Sequence, residues 1–206
     1  MVKIMTIKHP IPKKKYEKKD RPKSMSYTSN LGMTLESDVE ETNLYYLETK
    51  RAVIYKKPTP VQIVDVSYPS RNKAKIVEAY YRTPSTTDFN GIYKGYYIDF
   101  DCKETKSTTS IPLANIHNHQ IEHLKNIVDA GGIGFLIIYF KAYNEYYYLP
   151  FNVLYEYHLK SLKGGRKSIP YETFKERAYP IKFSFNPRLD YLTVIDEYII
   201  PTMEKH

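Results

Sequence analysis

Three side chains in the middle of the chain have the types and spacing for phosphodiester chemistry: Asp88, Asp101 and Lys103. Hydrolysis of a phosphodiester is helped by a divalent cation that polarises the phosphate, generates a nucleophilic water and stabilises the leaving oxygen. Hard cations of this kind take carboxylate and carbonyl oxygens and fill the remaining positions with water. The run Tyr97-Ile98-Asp99-Phe100-Asp101-Cys102-Lys103 supplies such groups in an ordered way. Read as a strand, it puts Ile98, Phe100 and Cys102 on one face and Asp99, Asp101 and Lys103 on the other. Asp88 stands at the start of the same hairpin, so the turn can fold its carboxylate onto that of Asp101. Lys103 then points the same way and can orient the water or neutralise transition-state charge. The plain alternative is an edge strand with a solvated face and one ion pair.

Gln120 adds a further oxygen. Taking residues 111–129 as one helix, it falls on an inward stripe with Ile116, Leu124, Ile127 and Val128. A buried amide needs a partner, and the metal or a nearby backbone group can supply one. His119 and His123 are four apart, the spacing of a zinc pair on a helix, but no third ligand accompanies them. Imidazoles facing DNA or solvent account for them better.

The elements that must position these groups follow from periodicity and punctuation. Thr34 can cap a helix running to about Lys50, with Glu36 in its first turn and Glu36 and Glu40 on one face as a solvated acidic pair. Ala52 to Tyr55, Val61 to Val66 and Lys75 to Arg82 are extended runs, and Tyr68-Pro69-Ser70-Arg71 is turn-like. Residues 57–83 therefore form a protruding excursion carrying Lys57, Arg71, Lys73, Lys75 and Arg82, with Lys56 at its base. Phe89 to Lys106 is a hairpin with turn-type residues at Asn90-Gly91 and Lys94-Gly95. The helix after it ends at Gly131-Gly132. Gly134 to Phe140 is a continuous apolar run, expected as a central strand covered on both sides, and Glu145 to Leu149 is another strand. Helices near 151–162, 171–177 and 189–199 close the domain, with a basic glycine-containing loop at Lys163 to Lys167. The order predicts an α/β fold, a mixed central sheet flanked by helices.

The 206 residues are enough for one substantial core, and residues 31–200 are assigned to it. Residues 1–30 read as a basic, disordered arm, in which Lys13-Lys14-Lys15, Lys18-Lys19 and Arg21 alternate with prolines. A net charge of +8 suits a polyanionic partner, because phosphate neutralisation releases counterions, although an ordinary basic protein has it too. One cysteine, Cys102, excludes an intrachain disulfide framework and fits a reducing cytoplasm. No apolar run approaches the roughly 20 residues of a membrane span, and no secretory signal precedes the domain.

The pattern Asp88, a gap of twelve, then Asp101-Cys102-Lys103 looks like the PD-(D/E)xK nuclease motif. Longer stretches resemble the RecU family of Holliday-junction resolvases. They include Gly32 to Glu36, Lys56 to Val64, Ser85 to Gly91, Tyr97 to Phe100, Lys103 to Lys106, His119 to His123 and Pro187 to Tyr191. The resemblance covers about residues 24–200. It implies a restriction-endonuclease-like domain with a basic stalk, working as a homodimer. It further implies symmetric paired nicks in a four-way DNA junction during recombination and repair, with Mg2+ or Mn2+, alongside recombinase and branch-migration proteins. By motif position Thr87, Asp88, Asp101 and Gln120 look like metal ligands, Lys103 like the transition-state stabiliser, and Glu36 like an accessory acid. The stalk, with Lys56, Arg71, Lys73 and Tyr81, would contact the junction. Two positions depart from the family pattern: Asp101 stands where glutamate is usual, and Leu31 where arginine is. Aspartate is one methylene shorter, about 1.5 Å of reach, so ion preference and rate are the properties it should touch. The alternative reading is a weak or inactive junction-binding protein that modulates recombination.

Overall fold

The computed structural model describes residues 34–70, 73–81 and 86–204. The expected N-terminal arm, Leu31, Arg71 and Arg82 lie outside the described residues.

Helix α1 (Leu35–Glu48) starts where the Thr34 hydroxyl accepts the Ser37 backbone N–H at 3.3 Å, the cap expected from the sequence. It buries Leu35, Val39 and Tyr46 against a six-stranded sheet in the order β1 (Val53–Lys56), β4 (Phe89–Tyr93), β5 (Tyr96–Thr105), β7 (Ile133–Phe140), β8 (Glu145–Pro150) and β10 (Tyr179–Ile181). Every neighbouring pair is antiparallel except β5 with β7, whose parallel pairing needs a crossover. That crossover contains β6 (Ser110–Pro112), a 3-10 turn (Leu113–Asn115) and helix α2 (Asn118–Asp129).

The sheet separates two apolar layers. Ile98, Phe100, Cys102, Phe135, Ile137, Tyr146 and Tyr148 pack on one side with Leu35, Val39 and Tyr46 of α1 and Tyr191, Leu192 and Val194 of α5 (Tyr191–Val194). Leu136, Ile138, Phe140, Tyr147 and Leu149 pack on the other with α2, α3 (Phe151–Leu162) and α4 (Tyr171–Arg177). Strand β7 is thus covered on both faces, as its unbroken apolar run predicts. Because β5 lies between β4 and β7 it is no edge strand, and the solvated-edge reading of Asp99 and Asp101 fails.

Four expectations shift. The single helix over 111–129 is broken: Ile111 pairs with Ile169 of β9 (Ser168–Pro170), and Ile116 is extended, so α2 begins only after His117. Pro112, with no N–H and a fixed φ, favours the extended entry. Tyr68 to Ser70 are not turn but the end of β2 (Val61–Ser70), which pairs with β3 (Lys73–Tyr81). Asn90-Gly91 is strand, not turn. A Cβ on Gly91 would stand 2.1 Å from the Val53 carbonyl oxygen, so glycine is required by the close approach of β1. The hairpin turns at Lys94 (φ 49°) and Gly95 (φ 85°), the two left-handed residues of a type I′ connection. Finally, the last helix starts at Tyr191, capped by Asp190, and continues through a π segment (Ile195–Ile199) into α6 (Ile200–Met203).

The β2–β3 ribbon stands off this body. Its described side chains are exposed apart from half-buried Val66, and strands of ten and nine residues give a reach of about 30 Å. Tyr68, Ile76, Val77 and Tyr81 lie open on it, a surface that a free-standing two-stranded ribbon cannot bury by itself. No helix of the described residues is long and apolar enough to cross a membrane.

Candidate active site

The hairpin register makes the site. Phe89 pairs with Phe100, so Asp88 sits across from Asp101, and the two carboxyl groups meet. Asp101 is fully buried. Its Oδ1 accepts the Cys102 backbone N–H at 2.7 Å. Its Oδ2 has no well-aligned hydrogen bond, although Lys103 Nζ lies 3.0 Å away as an ion-pair contact. Both statements hold: the ammonium is near enough to attract the oxygen but does not point a proton along a lone pair.

Burial is the main force on Asp101, and the Asp88 carboxyl adds to it. Together they outweigh Lys103 and push Asp101 up to about 8. The protonated form of Asp101 is therefore favoured in the protein alone. A half-buried carboxyl beside a fully buried one with a poorly satisfied oxygen fits a hard divalent cation, which commonly takes one or two protein carboxylates and keeps several waters. Among the described residues no three or more His, Cys, Asp and Glu side chains are grouped as a metal cluster. His117 and His119 instead stack on each other at 5.3 Å. Burial, His117 and Lys103 hold His119 below its ordinary 6.5.

Thr87 and Gln120 are both buried, but their side chains are already engaged. The Thr87 hydroxyl donates to Asp99. Gln120 Oε1 accepts the His117 backbone N–H at 3.2 Å in a capping box at the start of α2. Glu36 is drawn to Lys56, which it contacts at 2.9 Å while Glu40 contacts the same ammonium at 2.6 Å. The two acids hold Lys56 well above its usual value, and what looked like a solvated acidic pair is a clamp on that lysine. Lys73 and Tyr81 are exposed on the ribbon, Tyr81 at 84%.

Asp99, Lys57, Tyr97 and His123 were not expected at the site as a group. Strand alternation does put Asp99 beside Asp101, and His123 was visible only as one half of an apparent zinc pair. Asp99 is fully buried and accepts from Lys57 Nζ at 2.7 Å and Tyr97 Oη at 3.1 Å, with His123 Nε2 at 3.0 Å.

The family model described as Recombination protein U matches residues 30–197. A Staphylococcus epidermidis protein called Holliday junction resolvase RecU is 50% identical over 198 residues, covering 94% of this chain and 95% of its own. A Staphylococcus aureus protein of the same name is 51% identical over 173 residues, covering 84% and 83%. Among solved structures, a Holliday junction resolvase of Archaeoglobus fulgidus is 10% identical, with a TM-score of 0.36 over 65% of this chain and 86% of its own.

Proposed function

The chain belongs to the RecU family of recombination proteins, and on that premise we propose that it is a metal-dependent endonuclease that resolves four-way DNA junctions by paired nicks. The observation that carries this reading is the half-buried Asp88 carboxyl set against the buried Asp101, with Lys103 on the same face.

In this reading Asp88 and Asp101 hold Mg2+, with Mn2+ as a substitute. Thr87 would join them through its carbonyl oxygen, and Gln120 through the second lone pair of Oε1. Bound there, the ion lowers the pKa of a water and neutralises charge on the phosphate. The chain's own contributions are separate from that. Asp101 must lose the proton that burial and Asp88 favour, so occupancy rises with pH. Lys103, whose Nζ lies 3.0 Å from Asp101 Oδ2, stabilises the extra negative charge of the pentacoordinate phosphate. The pairing between β4 and β5 holds Asp101 within the sheet and brings Asp88, the residue just before β4, across from it.

The ribbon supplies the shape preference. Lys73 and Arg71 contact backbone phosphates, Lys56 does so at its base, and Tyr81 offers an exposed ring to unstacked bases at a branch point. A homodimer would present two identical sites to a two-fold substrate. We place the protein in the cytoplasm with the chromosome, acting beside recombinase and branch-migration proteins.

A synthetic four-way junction tests the reading. With Mg2+ or Mn2+ it should be cut into two nicked duplexes at symmetric positions, and a linear duplex of the same sequence should be cut far less. Tight, metal-independent binding without cleavage would instead identify a junction-binding protein. Equal cutting of linear duplex would identify a nuclease of another DNA structure.

A further inference from the structure

The Asp99 carboxylate is the most heavily used polar group among the described residues near the site, and the nuclease reading gives it no task. It accepts from four groups. Lys57, Tyr97 and His123 converge on Oδ2, and the Thr87 hydroxyl donates to Oδ1. Lys57 Nζ also donates to Thr87 Oγ1 at 2.9 Å, closing a three-membered ring of contacts. A buried acid with this many donors carries a real desolvation cost, and a merely structural position in a sheet would be filled more cheaply by an apolar residue.

The chain connectivity indicates what the ring does. Lys57 is the first residue after β1, where the chain leaves for the ribbon, and Thr87 lies where it returns. The Lys57 backbone N–H donates to the Asp88 carbonyl at 2.7 Å, so the two roots of the ribbon are joined directly beside a catalytic acid. Asp99 in turn lies two residues before Asp101 on the same face of β5, about 6.7 Å along the strand. One end of the ring is therefore fixed to the strand that bears Asp101, and the other to the residue that precedes Asp88.

We infer that Asp99 is a positioning residue that sets the Asp88 carboxylate against Asp101 by clamping Thr87 and Lys57, the two roots of the ribbon. The inference rests on the nuclease reading above. It makes the ribbon and the carboxylate pair one mechanical unit: a junction that moves the ribbon roots acts on Asp88 through Thr87, while Asp101 stays with the sheet.

The full-length chain with Mn2+ and a synthetic junction tests this. Asp99→Asn keeps the shape of the side chain and weakens its hold on Lys57 and Thr87. The expected result is a fall in kcat of about 10²-fold, the scale of a small misplacement at a reacting centre. More Mn2+ should be needed for half-maximal rate, and junction affinity in chelator should not change. Thr87→Val should behave the same way, Thr87→Ser should recover most of the rate, and Asp99→Asn with Thr87→Val should be no worse than either alone. Wild-type kcat and Mn2+ dependence in Asp99→Asn would overturn the inference, as would equal losses in Thr87→Ser and Thr87→Val or additive losses in the double variant. If Asp99→Asn does not fold, the Thr87 pair decides. If Asp88→Ala still cuts, it is the nuclease assignment of the pair that fails. A dead Asp88→Ala beside a fully active Asp99→Asn sinks the positioning role alone.

Discussion

Asp88→Ala should lower junction cleavage by on the order of 10³-fold or more, a loss of about 4 kcal/mol of transition-state stabilisation at 1.36 kcal/mol per decade. The variant removes one of the two carboxylates assigned to the ion, and the surviving Asp101 alone cannot balance the charge of a divalent cation. Folding should not suffer, because Asp88 is a cost to the metal-free protein. Its carboxyl is the second cause, after burial, of the raised Asp101 value. A group that holds its proton more tightly when folded contributes stability that is present at low pH. That stability is lost as pH rises from the ordinary 3.8 through about 8. In chelator the wild type should therefore melt at falling temperature across this window, and Asp88→Ala should show a shallower fall. A variant that is dead but as stable as the parent, with that flattened pH profile, is the expected combination. A dead variant with a collapsed melting curve at every pH would point to misfolding instead.

Lys103→Met should cost about 10² to 10³-fold in kcat, the range for removing one group aimed at developing charge. Binding should change little, since one phosphate contact among many contributes weakly to total affinity. The opposite pattern, weak binding with unchanged kcat, would make Lys103 a backbone contact. Lys103→Arg should restore only part of the rate, because a planar guanidinium cannot place its charge where a compact ammonium stood 3.0 Å from Asp101 Oδ2. Loss of the ammonium also removes the main force holding Asp101 down, so the pH at which the variant reaches half its maximal rate should rise.

The parts of the site that were legible in the sequence are the ones set by local geometry. Period-two alternation along β5 was enough to place Asp99, Asp101 and Lys103 on one face, and the Lys94-Gly95 turn fixes the register that brings Asp88 to Asp101. The doubly covered β7 was equally plain from Ile133 to Phe140. What periodicity missed depends on long-range partners. The break before α2 follows from Ile111 pairing with Ile169, a residue 58 positions on. Gln120 moves from mid-helix to the first turn for that reason, which is why its oxygen meets the His117 N–H. The Glu36–Lys56–Glu40 clamp and the ring around Asp99 each join segments far apart in the chain, and no local pattern announces them. His123 was legible as a helical residue four from His119, but only the fold turns it toward Asp99 rather than toward a metal.

The central claim is that Asp88 and Asp101 form one cation site whose ion displaces the Asp101 proton. Calorimetric titration of the full-length protein with Mn2+ at pH 7, repeated in buffers of different ionisation enthalpy, reads this directly. With Asp101 raised to about 8, each bound ion should release about one proton, falling toward none at high pH. In Asp88→Ala the site should no longer bind Mn2+ with that release. Mn2+ binding to the wild type without proton release, or with a release that Asp88→Ala leaves unchanged, would contradict the account.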